Sequence, residues 1–285
     1  MLPTASAAKI LVLLSFAARA ERAGDLDTLL DRRDVDPVAD SGLWQHLRVH
    51  RLPADDVARL VGALSDNLAT NVLIAHLGGV EQITADATAW GIHDPALHDI
   101  VRDRREPPHP VTLSSGSARG YATLMRRIAR HEGLQATACD RVLDWLADGA
   151  DLSMAASAFC LDPLARREPG AAVRLVNKTG TDRGVAVDVG IVTGPARSLA
   201  YAFIGHAEIA ETAGGVGTAP SAADTASRPA MLAEMRRLGA ELARVATGST
   251  GSAAASTASG GDSLKIHTSS AVRGDMGSRI RDNFR

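Results

Sequence analysis

Apolar residues recur with helical spacing through much of the first 147 residues, which predicts a lobe built from α-helices. The most apolar segment, ILVLL at residues 10–14, is typical of a helix that is buried on all sides. A polar loop around Ser65 and the pair Gly78-Gly79 interrupt the pattern and separate successive helices. The predicted helices are residues 5–23, 53–63, 67–77, 80–90, 117–131 and 136–147.

Two other stretches of the chain lack this periodicity. Residues 94–116 are rich in Pro and Arg without a regular period, which predicts a long loop. Residues 248–262 are rich in Gly, Ser and Ala, so we expect a domain over 1–247 followed by a linker and tail over 248–285. The segment SLKIHTSSAV alternates enough for a strand, but the low apolar content of the last residues favours a disordered tail.

Composition limits the classes of partner. The chain has 285 residues, 45% of them hydrophobic, which is enough to bury the core of one large domain or of two closely packed lobes. A net charge of −2 and a pI near 6.5 give no basic footprint for nucleic acid or an anionic membrane. We therefore expect a small-molecule or peptide substrate and no membrane span, with the oligomeric state left open.

Disulfides and metal sites have little support in the sequence. Cys139 and Cys160 have no further cysteine cluster near them, so we expect two idle thiols. His46 and His50, four residues apart, are typical of a solvated helix face, and no His pair has ligand spacing beside a third ligand. We expect no metal and no cofactor.

Three short polar motifs give the clearest indication of chemistry, and they follow one another in the order Ser6-Ala-Ala-Lys9, Ser65-Asp66-Asn67 and Lys178-Thr179-Gly180. A spacing of three places Ser6 and Lys9 on one helical face. A neutral lysine amine in that position can take the serine proton and generate an alkoxide nucleophile. The first motif therefore predicts nucleophilic catalysis by Ser6 with Lys9 as its base.

The other two motifs supply what acyl transfer still lacks. Ser65 can relay a proton to a leaving group, and Asn67 can hold a substrate amide. Lys178 and Thr179 can bind a substrate carboxylate, and the positive charge of Lys178 would lower the pKa of Lys9.

These residues resemble the family of class A β-lactamases and penicillin-binding serine peptidases over roughly residues 1–247. Residues 52–79 resemble that family's helix entering its Ser-Asp-Asn loop, and Ser6 and Ser65 lie at a suitable separation. The segments VAVDVGIVTG and LAYAFIGHAE resemble the two strands that follow its Lys-Thr-Gly strand. The segment SRPAMLAEMRRLGAELARVA resembles its closing helix.

The resemblance implies an α/β (α+β) fold, with a helical lobe and a mostly antiparallel sheet flanked by helices. It implies that the backbone N–H groups of Ser6 and Thr181 form an oxyanion hole. It also implies that Gly180 and Thr181 join Asn67 and Thr179 in binding substrate.

The sequence departs from the family at two places. In the family a helix and two strands precede the nucleophile, but only five residues precede Ser6, so we expect a smaller sheet with an exposed edge unless the tail covers it. Ungapped counting from Asn67 places Val101 where the β-lactamases carry the glutamate that activates the deacylating water. The nearest acidic residues, for each of which we expect a surface role, are Asp99, Asp103 and Glu106.

Several functional alternatives follow from these departures. We expect a serine hydrolase that acts on an amide, ester or lactam carbonyl. The alternatives are an acyltransferase of secondary metabolism and a penicillin-binding or sensor protein that becomes acylated without turnover. The apolar run after Lys9 also resembles a signal peptide, whose cleavage would remove Ser6; we expect a buried helix and a cytoplasmic protein, with an exported form as the alternative.

Overall fold

The computed structural model describes residues 1–165, 167, 170–207, 222–249 and 264–269. Its helices are α1 (Lys9–Ala23), α2 (Ala54–Leu64), α3 (Asn67–Leu77), α4 (Val80–Ala89), α5 (Ala118–Arg130), α6 (Ala136–Ala147) and α7 (Ala222–Thr247). Its strands are β1 (Leu2–Pro3), β2 (Leu29–Asp31), β3 (Arg51–Pro53), β4 (Ala96–Leu97), β5 (Ser114–Gly116), β6 (Arg174–Asp182), β7 (Val185–Thr193), β8 (Ser198–Ala207) and β9 (Leu264–Ser269). The predicted mixed fold, with a helical lobe and an antiparallel sheet, is confirmed.

Helix α1 runs through the middle of the helical lobe because it is apolar on nearly every side. Its residues from Ile10 to Ala18 are all buried, and it contacts α2, α3, α4 and α6. Gly24 ends the helix in the left-handed conformation (φ 71°) and donates its N–H to Ala20 O at 2.8 Å. Within the described ranges, no helix has the length and apolar character needed to cross a membrane.

The predicted helix at 5–23 starts later than expected. Residues Ala5–Ala8 form a 3₁₀ turn, and the α-helix begins at Lys9. Ala5 has a φ of 45°, a left-handed conformation that an α-helix does not contain. Ser6 and Lys9 nevertheless share a face, because side chains three residues apart are aligned in a 3₁₀ turn.

The other predicted helices agree with the structure to within a residue at each end, and α3 and α6 match their predicted bounds. The start of α3 is fixed by Asp66, whose carboxylate accepts the N–H of Ala69 at 2.9 Å. Its end is fixed by Gly78, which adopts a φ of 97°. These caps explain why the helix could be placed from the sequence.

The main sheet contains β6, β7, β8 and β9 in that order, with every neighbouring pair antiparallel. Alternate residues of β7 point to opposite faces, so Val187 and Val189 join the core shared with α1 and α5. Ala186 and Val192 instead join the smaller core against α7. The sheet is therefore covered by helices on both faces, as predicted.

Strand β9 covers the sheet edge that was expected to be exposed. Residues Leu264–Ser269 pair with the 202–207 segment of β8. Disorder was predicted for this part of the tail and is wrong for these six residues, because pairing with β8 satisfies the backbone groups that face it. The linker at 250–262, the rest of the tail from 270 and the glycine-rich segment 214–217 lie outside the described residues. The division at 247 stays a prediction.

A second, three-stranded sheet in the order β1-β5-β4 lies beside the nucleophile turn. Leu2 pairs with Gly116 and Pro3 with Ser115, so the residues just before Ser6 are held against β5. The prediction that residues 94–116 lack regular structure is wrong at both ends, since β4 and β5 lie within that segment. Strands of two and three residues are too short to show a period in the sequence.

Candidate active site

The turn that carries Ser6 is held by buried hydrogen bonds on the side away from solvent. Ser114 Oγ donates to Ala5 O at 2.7 Å, and the N–H of Thr4 donates to Ser114 O at 3.1 Å. Thr4 Oγ1 lies 2.8 Å from both Ser114 Oγ and Tyr121 OH. This network fixes the left-handed Ala5 immediately before the nucleophile. Sequence reasoning missed Thr4, Ser114 and Tyr121, because no local pattern connects residues more than 100 positions apart.

Gly180 allows strand β6 to approach the nucleophile turn closely. A Cβ atom at this position would lie 2.6 Å from Thr4 O and 2.9 Å from the backbone nitrogens of Ser6 and Ala7. Such contacts are closer than van der Waals packing allows, so only glycine fits. Gly180 thus sets the distance between the Lys-Thr-Gly strand and Ser6.

Lys9 lies at the centre of the site, and its side chain is fully buried. Its Nζ donates to Ser65 O at 2.6 Å, to Asn67 Oδ1 at 2.7 Å and to Ser65 Oγ at 3.3 Å. Burial and, next, the charge of Lys178 hold the pKa of Lys9 well below its usual value, although the carboxylates of Asp66 and Asp40 oppose this effect. Burial and the charge of Lys178 thus favour the neutral amine over the ammonium form.

Asp66, the middle residue of the second motif, binds backbone N–H groups, a role that the sequence analysis did not predict. Besides capping α3, its carboxylate accepts the N–H groups of Leu43 at 2.7 Å and Trp44 at 2.8 Å. Asn67 is also buried, and its Nδ2 donates to Ala39 O at 3.1 Å while its Oδ1 accepts from Lys9. One N–H of the amide of Asn67 remains for the predicted contact with substrate.

Lys178 projects from β6 and is buried, with its Nζ donating to Thr179 O at 2.7 Å. Burial lowers the pKa of Lys178 to about 8, against the opposing charges of Asp151 and Asp188. Lys178 therefore stays largely protonated at neutral pH and places a positive charge near Lys9, as predicted from the sequence.

Asp188 is a fully buried acid on β7, opposite Thr179 in the strand register. It accepts hydrogen bonds from Asn177 Nδ2 at 3.1 Å, Tyr201 OH at 3.0 Å and the N–H of Ala156 at 3.3 Å. Burial raises its pKa to about 6, so the hydrogen bonds only partly offset desolvation. The sequence analysis did not single out Asp188, because a lone Asp in an apolar strand carries no motif.

A cleft of about 1170 Å³ brings much of the predicted site together. The predicted site residues that line it are Ser6, Ser65, Lys178, Thr179 and Thr181. Lys9 and Asn67 lie behind this surface. Arg183 also lines the cleft, together with Arg228 from α7. Further lining residues that sequence reasoning missed are Asp40, Asp151 and Asp182.

The segment 94–116 packs beside α3, at the register obtained by counting. Asn71 Nδ2 donates to Val101 O at 2.8 Å, and the N–H of Val101 donates to Asn71 Oδ1 at 2.8 Å. The side chain of Val101 packs against the hydrophobic core. An apolar side chain at this position can neither accept nor donate a proton.

The acidic residues of this segment have other partners. Asp99 was expected on the surface, but it is buried, and it accepts from the N–H of Ile100 and from Arg102 Nε, both at 2.8 Å. Asp103 accepts the N–H of Ala39 at 2.8 Å, and Glu106 pairs with Arg104 at 3.1 Å. Among the described residues of 94–116, no carboxylate lines the cleft.

The histidines and cysteines lie apart from this site. His46 ends a 3₁₀ turn and His50 lies in the loop after it, so the expected helix face is wrong because Trp44–His46 makes only one turn. Cys139 is buried and Cys160 exposed, and both are free thiols. In the part of the chain that the structure describes, His, Cys, Asp and Glu form no cluster of three that could hold a metal ion.

Comparison with known proteins identifies the family. The family model described as "Beta-lactamase enzyme family" matches residues 1–226. The chain belongs to the beta-lactamase enzyme family. As a family member with a buried Ser/Lys site, it is a serine β-lactamase-like hydrolase.

Solved structures share the fold of this β-lactamase family member. PBP-A superposes with a TM-score of 0.62 at 21% identity, covering 84% of this chain and 78% of that one. A mutant of PBP-A, solved as an acyl-enzyme complex with penicillin G, gives 0.61 at 22% identity over 84% and 79%. A β-lactamase from Sphaerobacter thermophilus DSM 20745 gives 0.58 at 26% identity over 70% and 73%. No curated protein matches the chain.

Proposed function

We propose that this β-lactamase family member is an acyl-transfer enzyme that forms an ester between Ser6 and an amide, ester or lactam substrate. The observation that carries the proposal is the buried Lys9, whose Nζ is held by Ser65 and Asn67 directly beneath the cleft that contains Ser6. Its lowered pKa makes the neutral amine available as a base. PBP-A, which shares the fold and of which a mutant forms an acyl-enzyme with penicillin G, supports the same chemistry.

In the proposed acylation step, Ser6 Oγ attacks the carbonyl carbon and its proton passes to Lys9 Nζ. The tetrahedral oxyanion is stabilised by the backbone N–H groups of Ser6 and Thr181, which the close approach at Gly180 brings together. As the bond to the leaving nitrogen or oxygen breaks, Lys9 returns the proton through the hydroxyl of Ser65, 3.3 Å from its Nζ. The products are the Ser6 ester and the protonated leaving group.

We propose that substrate is positioned by Lys178, Thr179, Thr181 and Asn67. Lys178, Thr179 and Thr181 line the cleft that contains Ser6, and Asn67 lies behind it, hydrogen-bonded to Lys9. The positive charge of Lys178 also keeps the pKa of Lys9 low, so it contributes to the base as well as to the binding surface.

The second half of the reaction is proposed to be slow with water. Hydrolysis of the Ser6 ester requires a base beside the attacking water. Counting along the sequence puts Val101 at the position of the family's base, and its apolar side chain packs against the core. A long-lived ester can be resolved by an amine or alcohol, which would make the protein an acyltransferase. An ester that persists without any acceptor would make it a penicillin-binding or sensor protein.

A covalent-probe experiment tests the proposal. The protein is treated with a fluorophosphonate and with a fluorescent penicillin, digested and mapped by mass spectrometry. We expect one label per chain, on Ser6. Labelling on another residue, or none with either probe, would exclude Ser6 as the nucleophile. Product release that requires an added amine would identify a transferase, whereas release with water alone would identify a hydrolase.

A further inference from the structure

Asp151 places a protein carboxylate against the two groups that are expected to receive the carboxylate of a substrate. It follows α6 in the chain and lines the same cleft as Ser6, Lys178 and Thr179. Asp151 is exposed, so a ligand in the cleft can reach it. Its carboxylate accepts the N–H of Ser153 at 3.0 Å.

The position of Asp151 is set by the strand that carries the motif. Asn177, the residue before Lys178, donates its Nδ2 to Asp151 O at 3.1 Å and also to Asp188 Oδ1 at 3.1 Å. Because Asp188 is buried in the sheet, this bridge ties the backbone of Asp151 to β6 and β7. The carboxylate of Asp151 therefore keeps its place beside Lys178 when the cleft is empty.

The charges of Asp151 and Lys178 act on each other. The cleft walls partly desolvate Asp151, which opposes its ionisation, but the hydrogen bond from Ser153 and the charge of Lys178 favour the carboxylate, and its pKa is lowered. Asp151 in turn opposes the loss of a proton from Lys178. The two charges therefore attract each other across the cleft before any ligand binds.

Two consequences follow for a substrate that brings its own carboxylate to this end of the cleft. Its negative charge would approach that of Asp151, which costs free energy even in a solvated cleft. The negative charge of Asp151 also offsets part of the attraction that Lys178 would exert on such a substrate. An anionic substrate therefore gains less from the motif than it would without Asp151.

We propose that Asp151 is a specificity-determining residue that disfavours acyl donors with a carboxylate beside the scissile carbonyl. The preferred substrates are then amides or esters that are neutral at that position. The inference rests on the proposed acylation of Ser6.

The test compares benzylpenicillin with its methyl ester, which differ in one negative charge. Rate constants for adduct formation are measured by intact mass in the unmodified protein and in Asp151→Asn. The amide oxygen of Asn can still accept the N–H of Ser153, so the fold and the loop are retained while the charge is removed. We expect the ratio of acid to ester rate constants to rise about tenfold in Asp151→Asn, because the like-charge repulsion is lost.

Asp182→Asn is the matched control. Asp182 lines the same cleft, but its carboxylate accepts the N–H of Arg183 at 2.7 Å. A ratio that rises equally in Asp182→Asn would show a general effect of cleft charge and would overturn the specific role of Asp151. An unchanged ratio in Asp151→Asn would overturn it as well.

Equilibrium binding separates this inference from the proposed function. In the Ser6→Ala protein and in Ser6→Ala with Asp151→Asn, calorimetry with the same two lactams reads carboxylate discrimination without any acylation. The ratio of the dissociation constant of the ester to that of the acid should be about tenfold higher in the double variant than in Ser6→Ala. That result supports the inference even if Ser6 forms no adduct. Equal relative affinities in both proteins would refute it even if Ser6 proves to be the nucleophile.

Discussion

The groups around Lys9 and the segment 94–116 border the same lobe but differ in how much chemistry they contain. Around Lys9, a buried amine, a serine hydroxyl and a second lysine are arranged within hydrogen-bonding or Coulomb range. In the segment 94–116, the backbone of Val101 is held by two hydrogen bonds with Asn71 of α3, yet the side chain of Val101 is apolar. The segment 94–116 therefore contacts α3 through its backbone but has no proton-accepting side chain at residue 101.

This difference separates two reactions that are easily treated as one. Forming the Ser6 ester needs a nucleophile, a base and an oxyanion site, whereas breaking it with water needs a further base on the other side of the ester. A fold can therefore supply the first reaction and leave the second to a different acceptor. Fold likeness to β-lactamases alone does not decide which acceptor is used.

The largest effect on acylation is expected from changes to Ser6 and Lys9. Ser6→Ala and Lys9→Met should each lower covalent labelling by at least about 10³-fold, because one removes the nucleophile and the other removes its base. Met keeps most of the buried volume of Lys9, so circular dichroism and the melting temperature should report an intact fold. Undiminished labelling of Ser6→Ala would contradict the assignment and remove the basis of the comparison.

The next effect tests the second region. With the methyl ester of benzylpenicillin, the unmodified protein should open one equivalent of lactam in a burst and then turn over slowly, since general-base assistance worth roughly 10²–10⁴-fold is missing. Stopped-flow absorbance and intact mass follow the burst and the adduct. Fast steady-state hydrolysis without a burst would show that another group acts as the base, and the first alanine variants to make would be Asp99, Asp103 and Glu106.

Val101→Glu and Val101→Gln sharpen the same comparison. Both variants introduce a longer polar side chain, and the side chains of Glu and Gln have the same length. Only Glu can accept a proton from water. Because Asn71 binds the Val101 backbone and not its side chain, the loop register should survive either change. Faster deacylation in Val101→Glu than in Val101→Gln would show that the segment lacks only the base, and equal rates would show that the ester lies out of its reach.

A smaller effect is expected from removing the positive charge of Lys178, which acts on the pKa of Lys9. Lys9 must be neutral to act as a base, and Lys178 lowers its pKa, whereas Asp66 and Asp40 raise it. In Lys178→Met the positive charge is lost, the pKa of Lys9 rises, and the pH at which acylation reaches half its maximum should move upward. Acylation rates measured with the neutral ester between about pH 5 and 10 test this shift. Lys178→Arg keeps the charge and should shift the midpoint much less.

The smallest effect on catalysis, and a measurable one on stability, is expected at the far edge of the sheet. A proline in β9 cannot donate to the ladder with β8, so Lys265→Pro or Ile266→Pro should lower the free energy of unfolding by about 1–3 kcal/mol. Two neighbouring positions are needed because successive N–H groups of a strand point in opposite directions. Urea denaturation measures the change, and labelling of Ser6 should be retained. No loss of stability in either variant would contradict the pairing.

Much of the helical lobe was predictable because its signals are local. Helix α3 lies where expected since Asp66 and Gly78 mark its ends, and α1 is buried because its sequence is apolar on every side. The motif residues were also found from spacing, and four of them line the cleft.

The features that escaped prediction depend on contacts between distant residues. Nothing near Ser6 indicates that Ala5 is left-handed, because Ser114 stabilises that conformation from 109 positions away. The role of Asp151 beside Lys178 is likewise invisible until α6 and β6 are packed together.

The close approach at Gly180 gives an experimental control over the nucleophile that leaves every reacting group in place. A single added methyl group there has no room beside the backbone of Thr4 and Ser6, so the 3₁₀ turn must move outward by a few tenths of an ångström or more. Gly180→Ala would act as a wedge that displaces Ser6 relative to Lys9 and Thr181. Its rate loss, set against those of Ser6→Ala and Lys9→Met, would measure how much of the catalysis depends on position and how much on chemical identity.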